Sequence, residues 1–300
     1  MNRRSLYILF ALILTVTALN GQSNKQQFNQ LLQNGDTLKQ RQLLVQWEKE
    51  VPQDAELYVA YFNYYFQMSE EEIVSIGQEA NGEMALEIMD LDSSKKNPVA
   101  YMYSNIHYNE ELLEKGMNWI NDGIQQYPNR LDMRFGKIYV LGKLEDYALF
   151  TKEIIQTVEY SSKNENNWTW TDNTALKDPL EFMLGTIQNY QIQLFNTEDD
   201  RLLENMQQIA TSILTYYPEN IESLSNSAIV YLLQEKYIQA LSILQKAEKI
   251  NPKDCIVLNN IAVCYENQGN QKMAKKYYQL VIKNGNKEEK KDARNKLKNL

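Results

Sequence analysis

Two consecutive segments of similar pattern near the C-terminus decide the fold of this chain. Residues 221–254 read IESLSNSAIVYLLQEKYIQALSILQKAEKINPKD, and residues 255–286 read CIVLNNIAVCYENQGNQKMAKKYYQLVIKNGN. Pro218 comes just before the first segment, and Pro252 lies near its end. A fixed period of about 34 residues, filled by a pattern of two helices, predicts stacked helical hairpins.

Small residues recur in both segments at the places where two helices would touch. They are Ala228, Ala240 and Ala247 in the first segment and Ala262 and Ala274 in the second. Larger apolar residues surround them at helical spacing, namely Leu224, Tyr231, Tyr237 and Leu244, followed by Leu258, Tyr265, Tyr278 and Val281. Because closely crossing helices need small side chains at the contact, these positions predict the interior of the array. Gly269 lies between the two helices of the second segment, and we expect it to take the left-handed conformation that ends a helix.

This succession of large, small, aromatic, small, large and small residues, followed by proline, resembles the tetratricopeptide repeat family. Residues 221–254 match the pattern, and so do residues 255–286, with Asn286 in the place of the proline. The resemblance implies an all-α fold, a right-handed superhelix of stacked hairpins whose first helices line an inner groove. Residues 287–300 are expected to form a capping helix that covers the last repeat with Ala293, Leu297 and Leu300.

The pattern becomes degenerate towards the N-terminus. The spacing from Pro52 to Pro128 equals two periods plus 8, and the spacing from Pro128 to Pro218 equals two periods plus 22. We therefore predict a degenerate helical array over 22–220 that insertions interrupt, the larger at 161–178. Two well-formed repeats follow over residues 221–286.

Individual positions of the degenerate region extend this prediction. Gly116 and Gly123 take the small positions of a second helix before Pro128. A first helix after Pro52 would carry Ala55, Tyr58, Tyr61, Phe62 and Tyr65. His107, the single histidine, is expected to fill a packing position in the first helix of a unit over 97–130.

The N-terminus predicts an export signal over residues 1–21. Arg3 and Arg4 precede the apolar run Leu6–Leu19, and small and polar residues follow it. This order of a basic start, an apolar core and a cleavable boundary is typical of a secretory signal peptide. The expected location is periplasmic or secreted, with no membrane span after signal cleavage. The alternative is a protein anchored in the inner membrane by an uncleaved signal.

The charge of the chain restricts its partners. The formal net charge is −8, and it is unevenly distributed, since residues 221–300 carry 14 Lys and Arg against 8 Asp and Glu. The acidic remainder makes nucleic acid a poor partner. Cys255 and Cys264, nine residues apart on one predicted helix, lie roughly 13 Å apart. A disulfide requires a Cα separation below about 7 Å, so both are predicted to be free thiols.

The sequence offers little support for catalysis. It contains no glycine-rich phosphate loop, no nucleophile elbow and no Cys/His metal spacing. The acidic runs 70–72 and 198–200 lack the alternating ligands and the glycine of a calcium loop. We therefore predict that the protein is not an enzyme and has no cofactor and no metal site.

The candidate binding site lies in the groove that the resemblance implies. Asn226 and Asn260 lie one period apart, at the same position of successive first helices, with Glu222 and Asn259 close by. An amide both donates and accepts, so a row of them can bind a peptide backbone. The family also clamps C-terminal carboxylates with Lys and Arg, whereas Glu222, Ser225 and Ile256 stand at the candidate clamp positions here. The alternative for the asparagines is that they are merely exposed polar residues.

A second candidate is the polar segment 161–178, which carries Trp168 and Trp170. Exposed tryptophans could stack on a sugar or fill a partner's pocket, or they could cover a neighbouring helix. The function that we expect is an exported scaffold for a protein or peptide partner at the bacterial cell envelope. The alternative is a glycan or small-ligand binding protein that uses this tryptophan loop.

Overall fold

The computed structural model describes residues 24–79, 85–90 and 97–300. The described chain is predominantly helical, which confirms the all-α prediction, and it also contains strands. The helices are α1 (24–33), α2 (Thr37–Glu50), α3 (Ala55–Ser69), α4 (Glu110–Gln126), α5 (Leu131–Lys143), α6 (Tyr147–Lys163), α7 (Pro179–Phe195), α8 (Leu203–Tyr216), α9 (Ile221–Leu233), α10 (Tyr237–Ile250), α11 (Cys255–Asn267), α12 (Gln271–Asn284) and α13 (Lys287–Lys298). The strands are β1 (Glu70–Gly77), β2 (Leu86–Ile88), β3 (Ala100–Tyr108), β4 (Thr169–Trp170) and β5 (Thr174–Ala175).

The chain divides into two compact units. The first contains the described residues up to Lys137 together with Thr169–Thr174, and the second contains Ile138–Trp168 and Ala175–Leu300. The boundary that the quality of the repeats predicts, at residues 220/221, does not coincide with this division into two units.

The second unit stacks helical hairpins, as the sequence predicts. Helices α9 and α10 form one hairpin, α11 and α12 the next, and a single apolar cluster joins them. The alanines predicted at helix crossings are completely buried in this cluster: Ala228, Ala240, Ala247, Ala262 and Ala274. Small side chains let the helix backbones approach, and the larger Leu and Tyr side chains fill the layers between them.

The end of this array is also as predicted. Helix α13 buries Ala293, and Leu297 and Leu300 pack against the same cluster. Asn286 caps the helix by accepting hydrogen bonds from the N–H groups of Glu288 and Glu289, while the Glu289 carboxylate accepts from the Asn286 N–H. This capping box satisfies donors that the first helical turn leaves free. Gly269 has a φ of +74°, as expected for the turn between α11 and α12.

Residues 164–178 connect α6 to α7 as an extended loop with the short strands β4 and β5. The sequence predicts the larger insertion over 161–178. Its first three residues instead complete α6, where Ser161 is buried and donates to the Val158 carbonyl.

The first unit contains a similar hairpin, formed by α3 and α4. A Cβ atom added to Gly116 would lie 3.2 Å from the Tyr65 Cβ, and one added to Gly123 would lie 2.9 Å from the Tyr58 Cβ. The two glycines therefore let α4 lie directly against α3, which confirms the predicted small positions. Apolar side chains of α1, α2 and α3 form the neighbouring core: Phe28, Leu44, Trp47, Leu57, Ala60 and Tyr61.

A three-stranded antiparallel sheet is inserted between α3 and α4, in the strand order β1-β3-β2. The stretch from Pro52 to Pro128 therefore holds one hairpin with a sheet in its turn, and the prediction of two repeats with a short insertion is wrong. His107 lies exposed in β3, opposite Glu71 of β1, and not in a helix. Pairing along the whole of β1 with β3 overrides the helical period. Both strands contain residues that favour strands, Ile73, Val74 and Ile76 in β1 and Tyr101 and Tyr103 in β3.

One face of this sheet exposes apolar side chains. The register places Val74, Ile76, Leu86, Met102 and Ile106 on the same face, since Ile76 and Leu86 both pair with Met102 and side chains alternate along a strand. Four of them, Val74, Ile76, Leu86 and Ile106, are more than half exposed.

A buried ion network holds the segment Thr169–Thr174 to the rest of the first unit. Arg130 is almost fully buried and contacts the carboxylates of Glu56 and Asp132, each at 2.7 Å. The Asp172 N–H donates to Glu56, and Lys25 bridges Glu56 and Asp172. A buried guanidinium with two carboxylate partners satisfies the charge that burial would otherwise leave uncompensated.

The predicted signal segment 1–21 lies outside the described residues. Among the residues that are described, no helix is both long and apolar enough to cross a membrane.

Candidate functional site

Helices α7, α9 and α11 form one face of the second unit, and two adjoining clefts open on this face. The larger, of about 660 Å³, lies between the first half of α7 and the start of α9. The smaller, of about 250 Å³, lies between the second half of α7, α9 and the start of α11. Gln188 and Glu222 line both clefts. We call the two clefts together the groove.

The floor of the groove is apolar and accessible. Ile192 is 45% exposed, Phe195 47% and Ile256 61%, and all three line the smaller cleft with the half-buried Ile229. These four side chains come from three different helices: Ile192 and Phe195 from the end of α7, Ile229 from the middle of α9 and Ile256 from the start of α11. A grouped set of large exposed apolar side chains, in a concave site, is typical of a surface that binds a partner.

Asn226 and Asn260 lie at equivalent positions of α9 and α11, but the Asn226 side chain is already hydrogen-bonded within the fold. The Asn226 side chain donates to the Gln188 side-chain oxygen at 2.7 Å, and the Gln188 amide is 3.4 Å from the Asn226 oxygen. Asn226 is only 6% exposed. This reciprocal pair joins α7 to α9, so Asn226 acts within the fold. Asn260 is half-buried at the corresponding position of α11.

The other two predicted groove residues lie in different clefts. Glu222 is exposed in the groove and accepts a hydrogen bond from the Asn220 side chain at 2.8 Å. Asn259 lines a separate cleft between α11 and α13, together with Cys255 and Glu289. Burial, and then the charge of Glu289, raise the pKa of the Cys255 thiol. The structure therefore brings together Glu222 and Asn226 but not Asn259.

Helix α7 supplies groove residues that the sequence analysis did not identify. Gln188 precedes Asn226 by 38 residues, four more than the period. The turn over 196–202 has seven residues, whereas the corresponding turn over 234–236 has three, which accounts for the four extra positions. Allowing for a longer turn in the repeat would have placed Gln188, Asn226 and Asn260 in one row.

Gln191, on the same helix, places a buried polar group at the groove. It lines the smaller cleft, is 1% exposed, and donates from its side-chain nitrogen to the Met206 carbonyl at 3.1 Å. Its side-chain oxygen has no hydrogen-bond partner within the described part of the chain. A buried acceptor without a donor is unfavourable, so this oxygen is an unsatisfied polar group next to the smaller cleft.

Carboxylates border the groove. Asp178, Glu181 and Glu222 line the larger cleft, and Asp254 lines the smaller one. The Asp254 carboxylate caps α11 by accepting from the N–H groups of Ile256 and Val257. No Lys or Arg lines either cleft, as far as the structure describes the chain. The groove is therefore acidic, although residues 221–300 as a whole carry excess positive charge.

The tryptophan loop does not present both tryptophans to solvent. Trp168 is 1% exposed and packs against Tyr160 of α6, with ring centroids 5.6 Å apart. Trp170, in the first unit, is half-buried and meets Phe135 edge-on at 6.4 Å. Trp168 therefore covers a neighbouring helix, and the two tryptophans do not form an exposed pair.

The fold and the groove together define a protein of the helical-repeat class. The tetratricopeptide repeat model matches residues 257–284, which span most of α11 and α12. The chain therefore contains a tetratricopeptide repeat, and the resemblance that the sequence pattern indicates is confirmed.

Similar solved structures also include tetratricopeptide-repeat proteins. YrrB, described as a TPR protein with an unusual peptide-binding site, is 14% identical over 80% of this chain and 91% of its own, with a TM-score of 0.37. MamA from Desulfovibrio magneticus RS-1, from residue 41 to its end, is 12% identical over 57% of this chain and 84% of its own, with a TM-score of 0.33. No curated relative matches the chain. Because these scores are low, the repeat assignment rests on the matched repeat and on the helix packing.

Proposed function

We propose that this protein is an exported scaffold that binds a protein or peptide partner in the groove of its second unit, at the bacterial cell envelope. The observation that carries the proposal is the exposure of Ile192, Phe195 and Ile256 on one concave face. Tetratricopeptide arrays use the face of their first helices to bind polypeptides, and this groove is on that face. No catalytic step is part of the proposal.

The groove is tested by capturing partners with a variant and a matched control. Ile192→Ser/Ile256→Ser removes two apolar contacts from the groove floor, whereas Ile238→Ser makes the same change at a site on α10 that is 77% exposed and lies outside the groove. Protein purified with each change is used to capture envelope polypeptides, which are identified by mass spectrometry. The groove variant should lose the polypeptides that the unchanged protein captures, and the control should retain them. Equal capture by both variants would refute the groove as the binding surface.

The location is tested separately. The basic start at Arg3 and Arg4 and the apolar run Leu6–Leu19 support export with cleavage near residues 18–22. N-terminal sequencing of the protein from its native host should find a chain that begins close to residue 22. Full-length protein retained in the inner membrane would contradict cleavage and favour the anchored alternative.

A further inference from the structure

We propose that the groove selects a polypeptide segment in which a Lys or Arg side chain lies beside an apolar side chain. This inference rests on the proposed function and adds the chemistry of the partner. Three observations carry it: the acidic border of the groove, the buried acceptor of Gln191 and the exposed apolar floor.

The acidic border sets the charge of the partner. Asp178, Glu181 and Glu222 line the larger cleft with no Lys or Arg beside them in that lining, within the described residues. Carboxylates that line the same cleft repel one another, and a cation relieves that repulsion. An acidic segment would add to the repulsion instead. The partner is therefore cationic where it meets the start of α7 and α9.

The Gln191 oxygen specifies a hydrogen-bond donor. This oxygen is buried, and the other end of the amide is already held by the Met206 carbonyl, which fixes its orientation. A backbone N–H, a Lys ammonium or an Arg guanidinium can supply the missing bond, whereas a carboxylate cannot. Every peptide backbone offers such a donor, so the Gln191 oxygen favours a polypeptide ligand, and the preference for a basic side chain comes from the acidic border.

The apolar floor specifies the neighbouring side chain. Ile192, Phe195 and Ile256 lie in the smaller cleft, and this cleft adjoins the acidic one through Gln188 and Glu222. A ligand that fills both clefts therefore has an apolar side chain next to a basic one. Burial of the apolar side chain provides affinity, and the charge provides selectivity.

The test uses three short synthetic peptides of equal length, each labelled with fluorescein. They share the same Leu and Phe positions and carry Lys, Gln or Glu at all the others. Binding to the purified full chain is measured by fluorescence anisotropy at low and high NaCl. The Lys peptide should bind most tightly, the Glu peptide least, and the preference should shrink as salt screens the charges.

Variants assign the preference to the groove. Glu181→Gln/Glu222→Gln should weaken binding of the Lys peptide by roughly two- to tenfold, as expected for two exposed ion pairs, and leave the Gln peptide unchanged. Glu204→Gln/Glu235→Gln makes the same change of charge at exposed positions outside the groove and should have no such effect.

The outcomes separate this inference from the proposed function. If the three peptides bind with equal affinity and Ile192→Ser/Ile256→Ser weakens the binding of all three, the preference for basic segments is overturned, but the proposed binding of polypeptides in the groove still stands. A Lys peptide that binds equally well to the unchanged protein and to Ile192→Ser/Ile256→Ser would refute binding in the groove itself. A preference for the Glu peptide, or no binding by any of the three, would overturn the inference.

Discussion

Replacing Gly123 by alanine should destabilise the first unit, while the same change at Gly136 should stabilise it. Both glycines lie inside helices, where alanine is favoured over glycine by about 0.5–1 kcal/mol. At Gly123 the new Cβ would lie 2.9 Å from the Tyr58 Cβ and 3.2 Å from the Met133 Sδ. At Gly136 its nearest neighbour would be the Phe62 Cε1, at an ordinary contact distance of 3.7 Å.

The two variants together isolate the steric effect, because the gain in helix propensity is common to both. The Tyr58 Cβ is fixed to its backbone, so relief at Gly123 requires α4 to move away from α3. Overpacking of this kind costs about 1–3 kcal/mol, and we expect the two free energies of unfolding to differ by that amount. Urea unfolding followed by circular dichroism at a helical wavelength measures the difference. If Gly123→Ala were as stable as Gly136→Ala, the close packing of α3 on α4 would be refuted.

Two further predictions concern the second unit. Ala240→Leu should lower the free energy of unfolding by about 1–3 kcal/mol, because Ala240 is completely buried between helices. Gln245→Leu, on the exposed face of α10, should change it little. Equal melting temperatures of the two variants would refute the register of the repeats. Cys255 should react with a thiol reagent well before Cys264 at pH 8, because Cys255 is only half-buried whereas Cys264 is completely buried. Burial also raises the pKa of the Cys264 thiol to about 11, which leaves little thiolate. Mass spectrometry of the labelled protein measures the order, which faster labelling of Cys264 would contradict.

The local sequence pattern was sufficient to predict the helical array near the C-terminus. Ala228 and Ala262 fall one period apart, Ala240 and Ala274 do the same, and all four are completely buried at helix crossings. A repeat can be read in this way because each unit contacts mainly its neighbours, so the local pattern contains most of the packing information. The capping helix and the turn at Gly269 follow from equally local rules.

The sheet between α3 and α4 could be established only from the folded chain. The pairing of β1 with β3 joins residues such as Glu70 and Tyr108, which are distant in the sequence, and the helical period carries no trace of such a partner. Strand pairing depends on which segments meet in the folded chain. Because α3 packs against α4, the start of β1, which follows α3, lies next to the end of β3, which precedes α4. The spacing from Pro52 to Pro128 could therefore be read as two repeats when it contains one.

The groove was predicted in part. Its position on the first helices, and Glu222 within it, followed from the repeat register. The burial of Asn226 against Gln188 could not be predicted from that register. The turn between α7 and α8 is four residues longer than the turn between α9 and α10, so Gln188 does not lie one period before Asn226. Which polar group remains free and which is satisfied depends on the neighbouring helix, and that neighbour is fixed only when the chain has folded.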